Sequence, residues 1–213
     1  MVEKITLAHG SGGKASHELI EKLFVANFGG KSLLAMEDSA VLQAGKERIA
    51  FSTDSFVVDP IFFPGGDIGS LAIHGTVNDL AMRGAKPLYI AVAMIIEEGF
   101  AYRDLETIVR SLKAGADKAG VEIVAGDTKV VQSGKADKIF INTTGIGLLD
   151  MDIDISAGNG RPGDRIILSG TMADHGTTIL CQREGLQIQG GFMSDSAPLN
   201  HMVAAMIEEC GKS

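Results

Sequence analysis

The sequence predicts an α+β fold, and three observations carry that expectation. The apolar patterns run strand, strand, helix, strand, helix, strand, strand. Neighbouring strands are joined by short polar turns rather than by the helical crossovers of a doubly wound parallel sheet. Between residues 150 and 161 polarity rises and the pattern restarts, which divides the chain into a first domain, residues 1–152, and a second, residues 153–213. The second holds one strand and two helices, too few to bury both faces of a sheet, so it reads as the start of an α/β domain.

Residues 1–8 alternate apolar and polar and read as an edge strand or a flexible arm, running into His9-Gly10-Ser11-Gly12-Gly13-Lys14. Leu19, Ile20, Leu23, Phe24 and Phe28 then fall at helical spacing over residues 15–28, and Gly29-Gly30 stops them. The glycine-rich loop therefore sits at a helix N-terminus, where unpaired N–H groups favour an anion; the same glycines would also serve as a plain turn. It is not a Walker loop, because the position five before Gly13 is Ala8. Residues 40–42 and 48–51 read as strands, the first preceded by Glu37-Asp38-Ser39 and the second ending in Ser52-Thr53-Asp54-Ser55. An extended apolar run through Pro60 follows, residues 56–63, and closes at Pro64.

Residues 65–87, GGDIGSLAIHGTVNDLAMRGAKP, predict one sharply bounded helix. Gly65 and Gly66 break what precedes, Asp67 is the N-cap, Gly84 suits the position after the C-cap, and Pro87 forbids continuation. Ile73, Val77 and Leu80 form one stripe, and Leu71 and Met82 lie nearly opposite, which predicts burial on both sides. Asn78 and Asp79 flank the second side. A buried carboxylate needs a cation, a metal or several donors, and this helix supplies none to Asp79. Further on come a strand over 88–96, an amphipathic helix over 102–119 stopped by Gly120, and a buried strand over 121–125 that ends in Gly126-Asp127-Thr128-Lys129. A long strand over 138–149 completes the first domain. Arg161-Pro162-Gly163-Asp164 has the residues of a type II turn, followed by a strand over 165–169, a helix over 174–184, a glycine-rich polar stretch over 187–195 and a last helix over 196–209.

The 27 glycines among 213 residues, scattered rather than periodic, point to tight turns and to backbone approaching a ligand. A net charge of −8 and the absence of a clustered Lys/Arg patch argue against nucleic acid as a partner, and an anionic ligand would have to bring its own cation. The longest apolar runs are about half of what a membrane span needs, and there is no signal-peptide pattern, so the expected location is cytoplasmic with no membrane contact. Cys181 and Cys210 make neither a metal-ligand spacing nor a disulfide framework; Cys181 reads as a packed thiol.

Four aspartates share one positional logic. Asp38 precedes a strand, Asp54 and Asp127 each end one, and Asp79 sits on the central helix. If these elements share one end of a sheet, four carboxylates converge, and like charges at that range must hold protons or bind a cation. All-oxygen donors suit Mg²⁺ carrying substrate phosphates. The alternative for each is an isolated cap or turn residue. Lys14 and Lys129, each beside a Gly-rich segment, are either solvated or phosphate contacts.

In order along the chain, HGSGGK, EDSAVL, STDSFVVDPIFFPGGDIG, HGTVNDLAMRGAKP and AGDTKVV resemble the hydrogenase expression/formation protein HypE family, over essentially the whole chain. That family lies within the aminoimidazole ribonucleotide synthetase-like ATP-binding superfamily, alongside thiamine-monophosphate kinase and selenophosphate synthetase. The resemblance implies an α+β N-terminal domain, a mixed sheet with flanking helices, that forms a barrel in a homodimer and binds ATP and Mg²⁺. It implies metal ligation by Asp38, Asp54, Asp79 and Asp127, and catalytic roles for Lys129 and Asp127. It implies nucleotide contacts from Gly10, Ser11, Gly12, Gly13, Lys14, Thr53 and Asn78, with Asp174 and His175 added from the second domain. The implied reaction is the ATP-dependent dehydration of an S-carboxamide on a C-terminal cysteine to a thiocyanate, the precursor of the cyanide ligands of [NiFe] hydrogenase. The implied partners are the carbamoyltransferase HypF and the HypC–HypD complex. Alternatives are a small-molecule kinase or synthetase of the superfamily and a non-catalytic scaffold. In the family the modified cysteine is the last residue, whereas here Cys210 precedes Gly211-Lys212-Ser213 and reads as helix-end packing, which predicts a fragment lacking that cysteine.

Overall fold

The computed structural model describes residues 4–186 and 191–210. Its centre is a five-stranded mixed sheet built from β1 (Ala40–Ala44), β2 (Glu47–Phe56), β5 (Lys86–Glu97), β6 (Glu122–Val131) and β7 (Ile139–Leu149). The order across it is β1-β2-β7-β5-β6, with β5 and β6 parallel and the other pairs antiparallel. Two short strands, β3 (Phe62–Phe63) and β4 (Gly66–Asp67), make a hairpin that leads into the central helix α4 (Ile68–Met82).

Helix α4 begins where Asp67 accepts from the N–H groups of Gly69 (2.7 Å) and Ser70 (3.0 Å). It ends before Gly84, whose φ of +77° is open to glycine without strain; a Cβ there would also stand 2.6 Å from Ile153. Ile68, Ala72, Ile73, Val77 and Leu80 are fully buried against the sheet and against α5 (Tyr102–Ala119). A polar pin crosses this core: Thr143 Oγ1 donates to the Ala72 carbonyl and lies 2.6 Å from Thr76 Oγ1. Met82 departs from the expected two-sided burial and is 38% exposed, lining an open apolar pocket with Ile155, Met202 and Met206.

Three other expectations change. Residues 4–8 form no strand; Leu7–Gly10 is a 3₁₀ turn, closed by His9 N–H to the Thr6 carbonyl, since local bonds were available and a ladder partner was not. The amphipathic helix is present as α1 (Lys14–Leu19), a π-helical stretch (Ile20–Val25) and α2 (Ala26–Phe28), but its apolar face is exposed. A short helix, α3 (Lys31–Leu34), then leads to β1. The third concerns β6, expected to be buried. It is the sheet edge, and from Glu122 to Val130 its residues are exposed. An apolar sequence run cannot distinguish a strand covered within its own chain from an edge strand.

Beyond β7 the Arg161–Asp164 turn forms as expected, with Gly163 at φ +102° and the Asp164 N–H on the Arg161 carbonyl. Helix α6 (Asp174–Glu184) matches its predicted bounds, and α7 (Asn200–Cys210) starts four residues late. Residue 197 precedes Pro198, which disfavours helical backbone, and the extended segment is held by α4 instead. No strand forms over 165–169; Ile166 is 93% exposed, and an extended segment without a hydrogen-bonded neighbour is no strand. Cys181 is half-buried, whereas Cys210 is exposed rather than packed. Part of the predicted 187–195 stretch lies outside the described residues, as do residues 1–3 and 211–213.

Candidate active site

Alternation along β2 sends Ala50, Ser52, Asp54 and Phe56 toward α4, and the helical repeat brings Gly75 and Asp79 to meet them. Gly75 is required there: a Cβ would lie 2.7 Å from the Phe56 ring and 3.5 Å from Asp54 Oδ2. Ser52 Oγ donates to Asp79 Oδ2 at 2.9 Å and lies 3.1 Å from the Asp38 carbonyl, so one hydroxyl ties the strand, the helix and the loop before β1 together. Ser52 was not singled out from the sequence, although its place two residues before Asp54 on one strand face was the available signal.

Asp79 is pushed up to about 7, first by burial and then by the negative charges of Asp54 and Asp38, against the pull of the Ser52 hydroxyl. Asp54 is raised too, by burial and by Asp38, with the hydrogen bond from Asp79 opposing. Both shifts mean that the two carboxyls resist carrying full charge side by side. Asp38, Asp54 and Asp79 therefore form one electrostatic cluster. Among the described residues no three acid, His or Cys side chains stand close enough to enclose a metal by themselves. The donors are all oxygen, and a cation among them would offset the repulsion that helps to raise Asp54 and Asp79. They fit a hard divalent ion that keeps further ligands from water or a phosphate.

Asp127 does not join them. It lies inside β6 rather than at its end, in register with Ala93, which is itself paired with Asn142 of β7. Three strand spacings, roughly 14 Å, separate β6 from β2. Asp127 also emerges on the opposite face of the sheet, with Thr53, Ser55, Asn142, Thr144 and Lys129. Asp54 likewise sits within its strand, two residues before the end. On the open face Thr53 Oγ1 lies 2.9 Å from Thr144 Oγ1, and Asn142 Nδ2 donates to the Asp54 carbonyl at 2.8 Å. The expectation of four converging aspartates fails because strand alternation and sheet order, not strand ends, decide which side chains meet.

The other predicted residues lie elsewhere. In the loop, Gly12 N–H donates to Ser16 Oγ at 2.9 Å and Ser11 Oγ to the Ala8 carbonyl at 3.1 Å, so Gly10 to Gly13 close onto their own helix. The Lys14 side chain is 91% exposed, 4.0 Å from Glu18. Asn78 spends its amide on the segment before α7: Nδ2 donates to the Ala197 carbonyl (3.0 Å) and Oδ1 accepts from Leu199 N–H (2.8 Å). Asp174 accepts from Thr171 Oγ1. His175 packs edge-on to Phe63, its backbone N–H donating to Asp195 and its Nδ1 3.0 Å from Ser194 Oγ. That places both beside the β3–β4 hairpin at the start of α4, twelve residues and about 18 Å of helix from Asp79.

The profile of the AIR synthase related protein, N-terminal domain, matches residues 36–149. Carbamoyl dehydratase HypE of Cupriavidus necator is 52% identical over 206 residues, covering 96% of this chain and 58% of its own length. A solved HypE–HypF complex superposes with a TM-score of 0.85 at 50% identity, over 91% of this chain and 62% of that one. A structure of hydrogenase maturation protein HypE in complex with ATP gives a TM-score of 0.76 at 51% identity, over 98% of this chain and 62% of that one. The chain thus spans about 60% of the length of the relatives it matches. With a profile that covers more than half of its residues, the chain belongs to the AIR synthase related protein family, within which it is similar to the HypE carbamoyl dehydratases.

Proposed function

We propose that this chain is the nucleotide-binding portion of an ATP-dependent carbamoyl dehydratase acting in [NiFe] hydrogenase maturation. The observation that carries the reading is the cluster of the half-buried Asp54 and Asp79 with the exposed Asp38, whose mutual repulsion calls for a cation, in a chain about 50% identical to HypE proteins. A HypE relative has been solved with ATP, which supports ATP as the nucleotide here. In the proposed reaction the carboxamide oxygen of a cysteine S-carboxamide attacks the γ-phosphorus and ADP leaves. Loss of both nitrogen protons and departure of phosphate with that oxygen then leave a thiocyanate. A bound Mg²⁺ would neutralise phosphate charge. The chain's own part is to hold that ion with Asp79, Asp54 and Asp38 and to orient the phosphates.

We assign Gly10 to Lys14 to the nucleotide, which the exposed ammonium of Lys14 can approach. Lys129, Asp127 and Thr53 stand on the sheet face opposite α4 and α5. That face also bears Phe51, Ile95, Ile146 and Leu148, each more than a third exposed, and this is the argument for a homodimer in which a second copy covers it. Lys129 and Asp127 would then act where the two copies meet, Lys129 neutralising the transferred phosphoryl group. HypF, present in a relative's complex, is the proposed carbamoyl source, with HypC–HypD downstream. The proposed location is cytoplasmic; among the described residues no helix is long and apolar enough to cross a membrane. We retain residues 1–152 and 153–213 as the domain division.

Calorimetry on the full-length protein carrying this chain, with ATP in the presence of Mg²⁺, tests the reading. The expected result is binding that Asp79→Asn weakens at least about tenfold with the fold retained, the loss typical of disturbing a metal's surroundings. Equal affinity in the variant would remove Asp79 from the site.

A further inference from the structure

Asp38 is the one carboxylate of the cluster that lies outside regular structure, in the bend between α3 and β1. Something must hold it, and the residue before it does so. Glu37 Oε1 lies 3.0 Å from Arg83 Nη1, and both side chains are close to nine-tenths buried. The same carboxylate accepts from Ser156 Oγ and, through Oε2, from Ala157 N–H at 3.5 Å. One side chain is thus fixed from two directions: by the residue that closes α4, one turn beyond Asp79, and by the segment that leaves β7.

That segment is itself anchored. Arg48 Nη1 donates to the carbonyls of Asp150, Met151 and Ile153, and Ile153 packs against Gly84. Met36, immediately before Glu37, has φ +49°, a left-handed conformation that a residue with a side chain holds only when its surroundings impose it. Arg83 Nε has no hydrogen-bond partner among the described residues. A buried ion pair with an unmet donor is a poor source of stability compared with apolar packing, so what it delivers at this place is geometry.

We propose that Glu37, held by Arg83 and Ser156, is the positioning residue that sets Asp38 for the cation, and that it thereby makes cation binding depend on how the interdomain segment is seated. This rests on the metal–nucleotide reading above. Glu37 and Arg83 touch neither cation nor nucleotide; they act through the backbone of residues 36–38.

The test separates cation-dependent from cation-independent binding. ATP affinity of the full-length protein is measured by calorimetry in EDTA and in Mg²⁺, together with Tm in the absence of ligand, for the wild type, Arg83→Met, Arg83→Lys and Ser156→Ala. The expected result for Arg83→Met is an unchanged affinity in EDTA and about a tenfold loss of the Mg²⁺-dependent increment. Arg83→Lys, which keeps the charge, should recover most of it, and Ser156→Ala should lose about threefold. A lost fold alone would lower Tm and both affinities together, and would not be rescued selectively in Mg²⁺. Overturning results are a wild-type increment in Arg83→Met, or a loss equal in EDTA and Mg²⁺. If Arg83→Met does not fold, Ser156→Ala decides, an unchanged increment there counting against the proposal. A wild type with no Mg²⁺-dependent increment would instead overturn the functional reading itself.

Discussion

At the scale of single residues, Asp79 is a carboxyl that keeps a proton up to about pH 7, where an ordinary aspartate releases it near 3.8. The folded state therefore binds a proton that the unfolded chain has lost. Stability from this group is present at low pH and is lost as pH rises through the folded value. Thermal unfolding in EDTA should accordingly show a Tm lower by several degrees at about pH 8 than at about pH 5, the decline levelling off near pH 7 and flattened in Asp79→Asn. Millimolar Mg²⁺ with ATP should reduce the step. A Tm that rises over this interval with the same slope in both proteins would contradict the assignment. The need of Asp79 for a partner was legible in the sequence, because a carboxylate on an apolar helix has few solutions. The partners were only half legible. Asp38 and Asp54 were found, while Ser52, Glu37 and Arg83 look like ordinary strand, loop and helix-end residues until the register brings them to one place.

At the scale of elements, the sheet has one face packed under α4 and α5 and one face with none of these helices on it. Ile146 of β7 lies on that second face, opposite Phe51, and is 36% exposed. Placing a charge there should break any association between copies while leaving the helix-covered core intact. Ile146→Glu is expected to sediment as a monomer where the wild type sediments as a dimer, with a far-UV spectrum like the wild type's. A monomeric wild type, or a dimeric variant, would remove this face as the interface. Helix and strand positions in the first domain were legible because caps, stop glycines and periodicity agreed with one another, as at Asp67, Gly84 and Gly120. What periodicity could not supply was strand order. β6 reads as a buried strand from its apolar residues, yet it lies at the edge, and Asp127 goes with it to the far side of the sheet. The missing strand at 165–169 has the same cause, since sequence pattern proposes strands but only a neighbour completes one.

At the scale of the whole molecule, the segments after β7 join the core that the sheet and α4 form, through Ile153, Ile179 and Ile207. Residues 194–200 follow α4 from the Pro64 carbonyl, bonded by Ser194 N–H, past His74 and Asn78 to the end of α5, where Asn200 Nδ2 donates to the Ala119 carbonyl. Glu37 and Ser156 make a second junction beside the carboxylates. The central claim is that Asp38, Asp54 and Asp79 receive a divalent cation that carries ATP phosphates. A crystal structure of the full-length protein with Mn²⁺ and a non-hydrolysable ATP analogue, read from the anomalous signal of the metal, tests it most directly. The account predicts an anomalous peak within bonding distance of an Asp79 carboxylate oxygen and of Asp54 or Asp38, with phosphate oxygens completing the ion's surroundings. A nucleotide bound with its metal away from all three aspartates would contradict it.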